Sequence, residues 1–180
     1  MLLEDIQLIA LIREGNAEAF SQVIERYQRP IGAYLYRFTG EYETARDLTQ
    51  DTFIQAYQSL RKNKNEIQLK AWLYGIATNK ALQYRRHKKI ITFVPFEENT
   101  NTDPPDGKNQ PDNLADKIMI EAAMLKVPEE QRVCMMLHFV EGFKYREIAQ
   151  TLGISEDAVR MRVARGSEEF RKVYPQGGMA

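Results

Sequence analysis

The chain has 180 residues, of which 43% are hydrophobic and 28% charged, a composition that suits globular folding and excludes wholesale disorder or a fibrous repeat. Twenty-five basic side chains balance twenty-five acidic ones, and no apolar run reaches the roughly 18 residues that a membrane-spanning helix needs. The single cysteine, Cys134, can neither close an internal disulfide nor complete a structural zinc site, and within the apolar run VCMMLHFV it reads as a core thiol.

The first fifteen residues, MLLEDIQLIALIREG, are acidic and amphipathic where a signal peptide would be basic and then uniformly apolar. The expected location is therefore the cytosol. Apolar spacings of three and four predict a helix over 4–13, a break at Gly15-Asn16 and a second helix over 17–36. Pro30 lies inside that second helix, so a kink or a boundary is expected there. A third helix is expected over 42–60, with Ala45, Leu48, Thr52, Ala56 and Leu60 on one buried face. Its opposite face carries Asp47, Gln50, Asp51, Ile54 and Gln58. An acidic face with an embedded isoleucine suits a protein partner, although a plain solvated face would show the same pattern.

A polar loop over 61–68 leads to a fourth helix expected over 70–89. Leu73, Ile76, Ala77, Lys80 and Tyr84 share one side of it, while Trp72, Asn79, Gln83 and Arg86 share another. Residues 61–89 hold nine basic side chains against Glu66 alone, so a positive stripe accompanies that second strip. An aromatic plane, two amides and positive charge are the equipment for holding unstacked bases of a single strand. Trp72 as an ordinary core residue is the competing reading.

The next stretch, PFEENTNTDPPDGKNQPDN over 95–113, has almost no apolar residue and reads as a linker. Residues 90–116 set six carboxylates against Lys108, so the linker is acidic and could fold over a neighbouring basic surface. After it, Tyr145, Ile148, Ala149 and Leu152 mark a short amphipathic helix, and Gly153 permits a tight turn. Ser155 is an N-cap, and Glu156 and Asp157 complement the positive end of the next helix. There Val159, Val163, Gly166 and Phe170 form an inward stripe. Ala149, Gly153 and Val159 have the spacing of a helix-turn-helix. Arg160, Met161, Ala164 and Arg165 face outward, where arginine can bridge guanine O6 and N7, while Arg162 and Lys144 could meet phosphates.

Catalytic signatures are missing from the sequence. His87 and His138 have no metal-ligand partner at helical spacing, and no Walker loop, dinucleotide fingerprint or nucleophile elbow occurs. The chain is therefore read as a non-enzyme, with no catalytic residue, no metal and no cofactor.

Four blocks in order, AFSQVIERY, ARDLTQDTFIQAYQSL, KAWLYGIATNKALQYRRHKK and KVPEEQRVCMMLHFVEGFKYREIAQTLGISEDAVRMRVARG, resemble the shared blocks of bacterial sigma factors. With nothing inserted between them, the chain resembles an extracytoplasmic-function (group 4) member of the sigma-70 family. The resemblance implies an all-α fold of two small helical domains: a sigma-2 domain over 1–92, a flexible acidic linker over 93–114 and a sigma-4 helix-turn-helix domain over 115–175. It implies an alternative sigma factor that binds core RNA polymerase through the β′ clamp helices and the β flap. It also implies promoter-specific initiation in the bacterial cytoplasm, in a stress or envelope response controlled by an anti-sigma factor.

Residue by residue, Asp47, Leu48, Gln50, Asp51 and Ile54 fall in the segment that docks on the clamp. Asn63, Trp72, Asn79, Lys80, Gln83 and Arg86 fall in the segment that captures the −10 element, with 61–69 as the loop that accepts a flipped base. Lys144, Ser155, Arg160, Met161, Arg162, Ala164 and Arg165 fall where the −35 element is read. Met161 and Ala164 stand at variable specificity positions, and Asp157 brings a negative charge close to the DNA. A stand-alone helix-turn-helix regulator is the alternative, but it would leave the Asp47/Asp51 face and the Trp72/Asn79 strip without a purpose.

Overall fold

The computed structural model of the protein describes residues 3–88 and 114–174. Among these residues the regular structure is entirely helical. The chain divides into two compact units between Asp106 and Gly107. The expected linker lies outside the described residues except at Leu114, which already begins a helix.

The first unit contains α1 (Asp5–Arg13), α2 (Ala17–Thr39), α3 (Tyr42–Leu60) and α4 (Leu69–His87). Asn16 starts α2 as its sequence position demands, its side-chain oxygen accepting the N–H of Ala19 at 3.1 Å. The helix runs one turn beyond the expected end and closes at Gly40, whose φ of +72° few other residues would adopt. Nor does Pro30 end it. The proline ring is exposed and removes only the bond to the Arg26 carbonyl, whereas Tyr27, Ile31, Tyr34 and Leu35 on the opposite side are buried against the bundle. Tertiary burial on that face outweighs one lost hydrogen bond, so the helix carries through.

α2, α3 and α4 pack on one another, and α1 lies across α2. At their centre the rings of Tyr34 and Tyr74 meet edge to face with centroids 5.2 Å apart. The Thr78 hydroxyl donates to the Tyr74 carbonyl at 2.7 Å, which leaves its oxygen to accept from the Tyr34 hydroxyl at 2.8 Å. Buried oxygens in the core are thus satisfied by one another. Asp5 on α1 ties to α2 by accepting from both Arg26 and Tyr27. Burial, and then donation to Asp5, pushes the Tyr27 phenol above its ordinary value near 10.

The second unit contains α5 (Leu114–Lys126), α6 (Glu129–Met135), a π-helical turn (Met136–Val140), α7 (Tyr145–Leu152) and α8 (Glu156–Val173). Gly153, at φ +66°, makes the turn between α7 and α8. The hydroxyl oxygen of Ser155 accepts the N–H of Ala158 at 3.1 Å and so caps α8. α8 packs on α5, α6 and α7 through Val159, Val163 and Gly166, all buried, whereas Phe170 is only half-buried. Gly166 faces α6 at close range: a Cβ there would stand 2.5 Å from Met135 Sδ and 3.1 Å from Gln131 Cβ. Cys134 is fully buried in the same layer, and burial raises its thiol pKa, which keeps it protonated and unreactive.

Candidate functional site

Three surfaces contain the residues singled out from the sequence. On α3, Asp47, Gln50, Asp51 and Ile54 are exposed, Ile54 by 50%. Leu48 does not join them. It is 8% exposed and belongs with Ala45, Thr52 and Ala56 in the buried stripe, so it supports the acidic face from beneath. Its position explains this: Leu48 is three residues after Ala45 and four before Thr52, hence on the inner side of the helix.

On α4 the wheel separates as expected. Leu73, Tyr74, Ile76 and Ala77 are buried, while Asn79, Gln83 and Arg86 are exposed and Trp72 and Lys80 half-buried. Trp72 is therefore neither a core residue nor fully in solvent. The positive stripe beside it is partly spent within the unit. Lys88 Nζ reaches both Glu41 oxygens at 3.0 and 3.1 Å, and its ammonium sits 5.2 Å from the Tyr84 ring centroid. The Arg85 guanidinium lies over Phe38. Lys62, Lys64 and Arg86 remain exposed. Sequence position alone could not separate these two groups, because the partners Glu41 and Phe38 are more than 40 residues away.

The loop before α4 is closed by local hydrogen bonds. Asn63 is half-buried; its side-chain oxygen accepts from the Asn65 N–H at 2.9 Å, and its own N–H donates to the Ser59 carbonyl at 2.8 Å. Arg13 of α1 donates across to the Asn65 carbonyl at 2.5 Å. The loop is thereby pinned at its tip to the first helix, a tie with no sequence signal.

On α8, Arg160, Met161, Ala164 and Arg165 are exposed and Ser155 and Lys144 flank them, also exposed. Arg162 behaves differently from its expected role. Only 30% of its side chain is accessible, and Nη2 pairs with Glu130 of α6 at 2.7 Å. It holds α8 against α6 where a loosely extended side chain was expected to reach a phosphate. The π-helical turn was not foreseen either. It brings His138 between the rings of Phe139 and Tyr145, with Nδ1 2.9 Å from the Phe143 carbonyl oxygen.

The family models for sigma-70 region 2 and sigma-70 region 4 match residues 23–90 and 117–169, more than half of the chain between them. The chain belongs to the sigma-70 family of RNA polymerase sigma factors, in its extracytoplasmic-function group. Among curated relatives, this sigma factor is 28% identical over 177 residues to the ECF sigma factor SigW of Bacillus subtilis, covering 91% of this chain and 93% of that one. It is 29% identical over 156 residues to the ECF sigma factor SigE of Mycolicibacterium smegmatis; that match covers 85% of this chain but spans only 60% of the relative. Among solved structures, its fold is similar to that of the sigma factor RpoE from Bartonella quintana, solved with the anti-sigma factor NepR. The TM-score is 0.69 at 20% identity, over 90% of this chain and 100% of the other. The α3 and α4 surfaces both lie in the region 2 match, and the helix-turn-helix lies in the region 4 match. No helix among the described residues is long and apolar enough to cross a membrane.

Proposed function

We propose that this sigma factor binds core RNA polymerase and directs it to a restricted set of promoters in a stress or envelope response. The observation that carries the reading is the pairing, in one chain, of regions 2 and 4 with their outward faces equipped for different work. One unit presents an acidic patch and an amide–aromatic strip; the other presents arginines on a capped helix.

The roles follow from side-chain chemistry. Asp47, Gln50, Asp51 and Ile54 offer charge around an apolar contact, which suits docking on the clamp helices of the polymerase β′ subunit; the β flap is assigned to the second unit. Trp72 stacks, and Asn79 and Gln83 read base edges, while Lys80 and Arg86 neutralise phosphate along the −10 strand. Asn63 stands at the loop that takes the flipped base. Arg160, Met161, Ala164 and Arg165 face the −35 element, with Lys144 and Ser155 at its margin. Arg162 contributes by setting the angle of α8. The chain selects the promoter and leaves RNA synthesis to the polymerase, in the cytoplasm and with no metal or cofactor of its own. The anti-sigma factor bound to the Bartonella relative supports the same kind of control here.

The test is run-off transcription with purified core polymerase on a promoter library. Transcripts from a small, sequence-related subset of templates, dependent on the added chain, are expected. A chain that elutes apart from core polymerase in gel filtration and starts no transcript is instead a stand-alone regulator.

A further inference from the structure

We propose that Glu156 is a positioning residue for base reading by Arg160, so that a carboxylate that should repel DNA instead sharpens its selectivity. The inference rests on the reading of α8 as the −35 recognition helix. Arg160 carries a long side chain with many rotamers, and in solvent it would sample most of them. Here 60% of the side chain stays accessible, yet three groups stand around its guanidinium. Nη2 donates to Glu156 Oε1 at 3.2 Å, one helical turn back. Nη1 lies 3.8 Å from Asp157 Oδ1. The guanidinium carbon stands 6.0 Å from the centroid of the Tyr145 ring, which comes from the other helix of the motif.

Tyr145 is itself supported. Its ring lies 4.6 Å from that of His138, and the His138 Nδ1 is 2.9 Å from the Phe143 carbonyl oxygen. The π-helical turn, His138, Tyr145 and Arg160 thus form a continuous brace from the core of the unit to its outward face. Glu156 takes only one of the five N–H donors of the guanidinium, so the remaining edge can still address a guanine. Restraining a flexible arginine before binding reduces the rotamer freedom lost on contact and penalises bases that the restrained fork does not fit.

Two effects of Glu156 then have opposite signs. Its negative charge, on the face that the reading of α8 turns to the duplex, weakens binding to every sequence alike. Its hold on Arg160 favours one base pair. Removing the charge is expected to raise affinity for non-matching DNA about two- to threefold, as for one unit charge some 8 Å from a phosphate in water. Removing the hold is expected to lower discrimination at a single −35 position about fivefold, part of what a well-set bidentate arginine supplies.

The experiment uses holoenzyme reconstituted from the full chain and core polymerase, and a linear duplex pool with randomised −35 and −10 blocks. Native chain, Glu156→Ala, Glu156→Gln and Arg160→Ala are compared by sequencing of bound duplexes, with thermal unfolding of each chain as the check on folding. Glutamine keeps an oxygen that accepts from Nη2 but lacks the charge. Glu156→Ala is therefore expected to lose preference at the position that Arg160→Ala loses, while Glu156→Gln retains it within about twofold; both Glu156 variants should gain affinity for non-matching duplexes. Native enrichment of a −35 block with unchanged preference in Glu156→Ala overturns the inference alone. Equal loss in the alanine and glutamine variants also overturns it, because charge and not the hydrogen bond would then be responsible. A native holoenzyme that enriches no −35 block overturns the reading of α8 and the inference together.

Discussion

Replacing Gly166 by leucine puts a side chain where α8 faces α6 with no room for one. A Cβ at this position meets Met135 Sδ at 2.5 Å, Met135 Cγ at 3.2 Å and Gln131 Cβ at 3.1 Å. The thioether can swing away, but Gln131 Cβ is fixed to its backbone, so the helices must separate or α8 must slide. Against this stands the helix propensity gained on leaving glycine, just under 1 kcal/mol. Overpacking of a close-packed layer costs about 1–3 kcal/mol for a small excess of atoms, and leucine adds four carbons. A net loss of about 2 kcal/mol or more is expected, which for a unit of this size lowers its Tm by at least about 8 °C. Ala164→Leu, two residues away on the exposed face, is the control and should move the transition little. The assay is thermal unfolding of the full chain by far-ultraviolet circular dichroism, where the second unit can melt ahead of the first. A Gly166→Leu chain that unfolds together with the native one would refute the argument that this contact sets the α6–α8 spacing. Gly166→Ala should lie between, because one methyl needs only the Met135 side chain and a few tenths of an ångström of helix movement.

Asp51→Arg, on an exposed position, should weaken binding to core polymerase at least about tenfold by like-charge juxtaposition while leaving the unfolding curve in place; unchanged affinity in a fluorescence titration would remove the α3 face from consideration. Asn79→Ala should slow open-complex formation on duplex promoters and alter −10 preference, and native permanganate reactivity of the −10 thymines in that complex would count against a role for the residue. Stability should decline as pH rises above about 10, because the folded chain keeps the Tyr27 phenol protonated where the unfolded chain releases it. Tyr27→Phe should flatten that alkaline slope in denaturant titrations, and an identical slope in the two chains would show that the phenol is not responsible.

Much of the architecture was legible in the chain by itself. Helix periodicity, the break at Gly15-Asn16, Ser155 as a cap, Gly153 as the turn residue and the outward arginines of α8 are local features. They are set by residues within one or two turns of each other, and the structure reproduces them. The resemblance to sigma factors also rested on local blocks and their order. What only the tertiary structure decided depends on residues far apart in sequence. Pro30 does not end α2 because burial of Tyr27, Ile31 and Tyr34 within the bundle exceeds the loss of one backbone bond. Lys88 is drawn to Glu41 and Arg162 to Glu130, which subtracts both from the positive surfaces that composition alone assigned to DNA. The brace behind Arg160 runs through a π-helical turn that no hydrophobic period announces. Charge in a sequence is only a sum along the chain, whereas the field a partner meets depends on which charges the fold has already paired.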